Sequence, residues 1–269
     1  MTMTTIMGPR TGMGPVMAAK TPLDHGGLYR LMAWMSPAFP VGAFAYSHGL
    51  ECAVDRGLVR DRKTLSGWVE AIVCRGAGAV DAVLFREAWI AAAANDLDAL
   101  ERIAEMGTAL RASAETALES EAQGGAFLDT VAAAWSDPGL LDWSERLRGG
   151  GRIPAATKYW PRGFARGGGA QPPYAVAVGA AAGRMGLPLE FAVFAFIQTF
   201  AVNLVSAGVR LLPLGQTDGQ RIVAGLEGAI TAAAGAALAH PLEDMGAATP
   251  MVDWTSMLHE TQYTRLFRS

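Results

Sequence analysis

The sequence has little cysteine: Cys52 and Cys74 are the only two in 269 residues, and they show no CxxC spacing. Two thiols cannot make the disulfide framework of a small secreted scaffold, so a reducing compartment fits the chain and the expected location is cytoplasmic. Charge is scarce as well. With 17% charged residues and a net charge of -3, nothing global advertises a nucleic acid or an anionic membrane as partner. Sustained period-2 alternation of β-branched residues is missing, as is an Asn-Gly or Asp-Gly turn between two strand-like runs, so no sheet is expected. Also missing are a GxxxxGK[ST] phosphate loop, a strand-linked GxGxxG, a GxSxG elbow and an HExxH pair. Those absences disfavour an ordinary NTPase, dehydrogenase, hydrolase or zinc protease, and no resident cofactor is expected.

Apolar residues make up 51% of the chain, enough for a large core. Residues 1–22 mix Thr, Gly, Pro and Met without an apolar run fit for a signal peptide, and are expected to form a disordered tail. Residues 23–269 are read as one all-α, bundle-like domain of about ten helices. The stretch 187–209 approaches a membrane span in length and hydrophobicity. Glu190, Gln198 and Asn203 within it would each need a partner in lipid, and a helix at the centre of a soluble bundle reads equally apolar.

Helix punctuation recurs. Thr21, Pro22 and Asp24 mark a start, after which Leu28, Leu31, Met32 and Met35 form an apolar stripe at helical spacing. Two prolines break the chain over 36–40, and a helix over 43–54, capped near Gly57, is expected to follow. Further helices are expected over 61–79, with Leu65, Trp68, Val69 and Ile72 inward, and over 81–94, with Leu84, Phe85 and Trp89 inward. Asp96 is a cap, the stretch 97–135 holds two helices breaking near 112–114, and another runs from Tyr174 to a stop at Gly186. Pro188 opens the long apolar helix, while Thr217 and Gln220 have capping-box spacing before a helix over 222–238 that His240 and Pro241 end.

From 146 to 173 the chain is Gly- and Pro-rich and carries Arg146, Arg148, Arg152, Lys158, Arg162 and Arg166 without an acidic residue. It is expected to be a solvated basic loop. Tyr159, Trp160 and Phe164 among those charges leave open a nucleic acid or an acidic protein face, although no nucleic acid is expected as partner. His48, Glu51 and Cys52 would share a face of the expected 43–54 helix, which makes His48 and Cys52 weak candidate metal ligands. Three neighbours are only a partial site, and His25, His240 and His259 do not complete it by spacing.

The stretch SPAFPVGAFAYSHGLE at 36–51 resembles the motif of the UreF family of urease accessory proteins, in which SPxxPVG is followed by GxxYSxGLE. NLVSAGVRLLPLGQTDGQ at 203–220 is similar to the family's second block, HETQYTRLFRS at 259–269 to its C-terminal signature, and PPYAVAVGAAAGRMGLPLE at 172–190 to its helix pair around a Gly-Leu-Pro junction. The long N-terminal tail and the basic insertion depart from the family, and His48 stands where it often has another polar residue. The resemblance implies a helical, non-catalytic, dimer-forming protein. It would bind UreD (also called UreH) and the GTPase UreG on the route that delivers nickel to apo-urease (UreABC), regulating GTP-dependent delivery. Ser36, Pro37, Pro40, Gly42 and Gly49 then form a structural motif. The expected partner-binding residues are Tyr46, Arg210, Gln216, His259, Glu260, Tyr263, Arg265, Phe267 and Arg268, with 250–269 as a docking segment for UreD/UreH. Two other readings stay open: a nickel metallochaperone in its own right, and a helical enzyme of unknown substrate.

Overall fold

The computed structural model describes residues 22–148 and 171–269. The expected N-terminal tail and most of the expected basic loop lie outside the described residues. Among the described residues there are twelve α-helices, two short 3-10 turns and no strand.

Asp24 caps α1 (His25–Trp34) by accepting from the Gly27 amide at 2.6 Å. Of the expected stripe only Leu31 is buried. Leu28 and Met32 are 44% and 68% exposed, and the inward face is instead Gly27, Leu31 and Trp34. Gly27 lies against the Leu23 and Leu187 side chains, and Trp34, 1% exposed, meets Phe127 and Trp135 edge-on at 5.6 and 5.9 Å. Several stripes satisfy helical spacing, and the one that buries an indole gains the most apolar area.

The helix expected over 43–54 is broken. A 3-10 turn (Ala43–Ala45) is followed by extended Tyr46, then by His48 at φ 54 and Gly49 at φ 72, before α2 (Leu50–Asp55) begins. Gly57 does end α2, at φ 71. Asp61 and Thr64 form a capping box for α3 (Arg62–Arg75). The chain turns at Gly76, four residues earlier than expected, into α4 (Ala77–Ala93). Asp96 caps α5 (Leu97–Ala109), and Ser113 with Thr116 caps α6 (Ala114–Trp135).

Helix α7 (Pro138–Arg148) reaches into the expected basic loop, where Arg146 pairs with Asp98 and Glu101 at 2.9 and 2.8 Å. Helices α8 (Tyr174–Arg184) and α9 (Leu189–Leu211) flank the Gly186 to Pro188 junction as expected. The expected cap at Thr217 falls inside α10 (Gln216–Gly225), which is followed by α11 (Glu227–Ala239). Pro250 at the first turn opens α12 (Pro250–His259), a proline signal the reading of the sequence passed over.

Helix α8 lies closest to α4. A Cβ at Gly179 would sit 2.3 Å from the Phe85 carbonyl oxygen and one at Gly183 equally near that of Trp89, so the two backbones touch where only glycine fits. Helix α9 is long and apolar enough by composition to cross a membrane, yet it packs among α2, α3, α4, α8, α10 and α11 as the bundle's central helix.

Candidate functional site

The chain between the 3-10 turn and α2 cannot continue as helix because α12 lies across it. A Cβ on Gly49 would stand 2.6 Å from the Ser256 backbone nitrogen, and its left-handed φ favours glycine. The break re-aims three side chains. Ser47 turns to the end of the chain, its amide donating to the Ser269 backbone oxygen at 2.8 Å and its hydroxyl donating to the same atom. His48 meets Glu119 at 3.1 Å, and Glu51 faces α12 and the segment after it.

That segment, 260–269, is not helical, and its backbone groups are satisfied from the family-like first motif. The Leu266 and Phe267 amides donate to the Glu51 carboxylate at 2.7 and 2.9 Å, and the Arg268 amide donates to the Ala45 carbonyl at 2.8 Å. His259, fully buried, lies between Glu115 at 2.6 Å and Glu51 at 3.2 Å. Arg265 reaches the other Glu115 oxygen at 2.6 Å. The Ser269 hydroxyl and the Gln123 amide donate to Glu119 at 2.7 and 2.9 Å. Phe267 is 3% exposed, with the Arg210 guanidinium 4.4 Å above its ring. Three motifs, the first and last more than two hundred residues apart, thus meet at one place.

The expected partner residues divide into anchors and outward groups. Tyr46, His259 and Phe267 are buried in their own chain. Glu260 is spent on the α6 N-terminus, accepting from the Ala114 amide at 2.8 Å. Tyr263 and Leu266 are 103% and 66% exposed, while Arg265, Arg268 and Arg210 are exposed but partly engaged. Gln216 is exposed at the start of α10 and is not brought to this cluster. In the structural motif, Ser36 accepts from the Ala38 amide at 3.2 Å, Pro37 and Pro40 line an exposed turn, and Gly42 takes φ 72. Phe44 is 74% exposed, whereas Phe39 is buried against Phe127.

The face expected to hold His48, Glu51 and Cys52 does not form, because His48 and Gly49 are left-handed and throw the imidazole toward α6. No group of three His, Cys, Asp or Glu suited to a metal occurs among the described residues. Glu115 and Glu119 escaped the reading of the sequence. Their signal was there: two carboxylates four apart on one helical face repel unless cations or donors come between them.

Tyr46 and His48, which flank the turn, are both shifted from their ordinary values. Burial raises the Tyr46 phenol, and so does the Glu119 charge, against a partial offset from Arg268. Burial by itself lowers the His48 imidazole, but Glu119, as charge and hydrogen-bond acceptor, together with Asp81, outweighs that and the Arg111 charge, leaving it above the ordinary histidine range. A raised folded value stabilises the fold below the unfolded pKa of about 6.5, and the contribution is lost as pH rises through the folded value. Wild type is therefore expected to exceed His48→Asn in denaturation midpoint below that range, the gap narrowing as pH rises. A gap that widens with pH would contradict the pairing. Asparagine is chosen because it tolerates the left-handed backbone.

The UreF family model matches residues 59–227. The chain is 47% identical over 242 residues to a urease accessory protein UreF of Granulibacter bethesdensis, covering 90% of this chain and 94% of that one. It is 43% identical over 254 residues to one of a Bradyrhizobium species (94% and 97% covered) and 43% identical over 267 residues to one of Rhodopseudomonas palustris (99% and 100% covered). These similarities extend beyond the matched domain to the first motif and the C-terminal signature, and on them the chain belongs to the UreF family of urease accessory proteins, a non-catalytic accessory family.

Proposed function

We propose that the chain serves urease maturation as a cytoplasmic scaffold: it docks UreD/UreH through its C-terminal segment, recruits the GTPase UreG, and couples GTP turnover to nickel insertion into apo-urease. The observation that carries this reading is the state of residues 260–269. They are pinned by buried groups, yet Tyr263 and Leu266 are turned fully or mostly to solvent. A chain end held in one conformation with an aromatic and an aliphatic side chain outward, flanked by Arg265 and Arg268, has the composition and low ordering cost of a protein-binding face. The chain carries no phosphate loop, so any effect on GTP would act through UreG, by binding one nucleotide state more tightly.

Homodimerisation is part of the same reading. Leu28, Tyr29 and Met32 are exposed apolar side chains on one face of α1, Phe191 is exposed on α9, and the two helices are tied where Thr199 donates to the Met35 carbonyl at 3.2 Å.

The test is co-purification of the full chain with UreD/UreH. Tyr263→Ala with Leu266→Ala is expected to weaken that complex at least about tenfold, with helical content by circular dichroism unchanged. Wild-type affinity in the double variant would remove the segment from the interface.

A further inference from the structure

We propose that Glu51, with His259 and Glu115, is a positioning residue for partner docking: it templates the backbone of the C-terminal segment from inside and never meets the partner. The inference rests on the docking role proposed above.

Glu51 lies in the first turn of α2, 6% exposed, and donors from its own chain occupy both its oxygens. Oε1 accepts from the Leu266 amide at 2.7 Å, while Oε2 accepts from the Phe267 amide at 2.9 Å and faces His259 Nε2 at 3.2 Å. Two successive amides turned onto one carboxylate fix the local backbone. Fixed in that way, Phe267 goes under Arg210 and Leu266 goes to solvent. The outward face is thus a consequence of an inward bond, and a motif near the start of the chain decides what its end presents.

His259 ties the template to α6. Each ring nitrogen faces a carboxylate, Nδ1 to Glu115 at 2.6 Å and Nε2 to Glu51 at 3.2 Å. The charged groups that meet it or share its partners are Glu51 from α2, Glu115 from α6 and Arg265 from the segment. Of these, Arg265 is the cation that shares Glu115.

Amide hydrogen exchange on the full chain, read at Leu266 and Phe267, is the test, with UreD/UreH affinity measured alongside. Glu51→Gln puts an amide donor where one acceptor oxygen stood. It is expected to speed exchange at those two amides at least about tenfold and to weaken UreD/UreH binding by a similar factor, while α4 and α8 keep their protection. Unchanged exchange, or fast exchange with unchanged affinity, overturns the inference.

Tyr263→Ala with Leu266→Ala separates the two readings. Loss of binding there with normal binding by Glu51→Gln leaves the docking role standing and overturns this inference alone. Normal binding by the Tyr263 and Leu266 variant removes the docking role and takes the inference with it.

Discussion

Gly49→Ala is expected to destabilise the chain by at least about 3 kcal/mol, a loss of roughly 6–12 °C in the thermal midpoint. Two costs add. A non-glycine residue at φ 72 costs about 1–2 kcal/mol, and the new Cβ would lie 2.6 Å from the Ser256 nitrogen and 2.8 Å from its Cα. The neighbour is helix backbone, so relief requires α12 to move away from α2. That movement would strain the Ser113 to Ser256 hydroxyl contact, 2.7 Å in the native fold, and draw His259 from between its two carboxylates. The measurement is chemical denaturation of both proteins. A loss below about 1 kcal/mol would mean that α12 does not cross the turn at this point. His48→Asn, one residue earlier, keeps a tolerated left-handed conformation and should cost less, which makes it the internal control.

Met32→Glu is expected to raise the homodimer dissociation constant at least about a hundredfold without changing helical content. Met32 is 68% exposed and shares a face of α1 with Leu28 and Tyr29. In a two-fold interface the same substitution appears twice, so two carboxylates lose water at once. Light scattering behind size exclusion reads the outcome. A variant that remains dimeric would move the dimer contact elsewhere, and a monomeric wild type would remove it. Because Met32 packs nothing in the monomer core, the fold itself should be indifferent to the change.

The UreF-like similarity does not by itself say what the matching residues do, and here the molecule adds something specific. The first motif is less a binding surface than a receptor for the chain's own end. Ser47, Glu51 and Ala45 accept or donate along 266–269, and Arg210 from the second block covers Phe267. Residues expected to face a partner therefore split by depth. His259 and Phe267 hold the segment, and Tyr263 is what it shows, together with Leu266, which was not among those expected.

What the sequence alone determined about this protein is its local chemistry. Asp24 marks the start of α1, Asp96 caps α5, the break near 112–114 separates α5 from α6, and the Gly186 to Pro188 junction divides α8 from α9. Each of these signals acts over about three or four residues, a range within which side chain and backbone interact whatever the rest of the chain does. The inward face of α1, the break at His48 and Gly49, and the burial of Glu51, Glu115 and Glu119 were decided only by the tertiary structure. They depend on an indole finding Phe127, on α12 crossing α2, and on amides at 266 and 267 reaching a carboxylate more than two hundred residues away. Periodicity can state that a helix has a face, but which face is buried follows from the area and the hydrogen-bond donors that other segments bring to it.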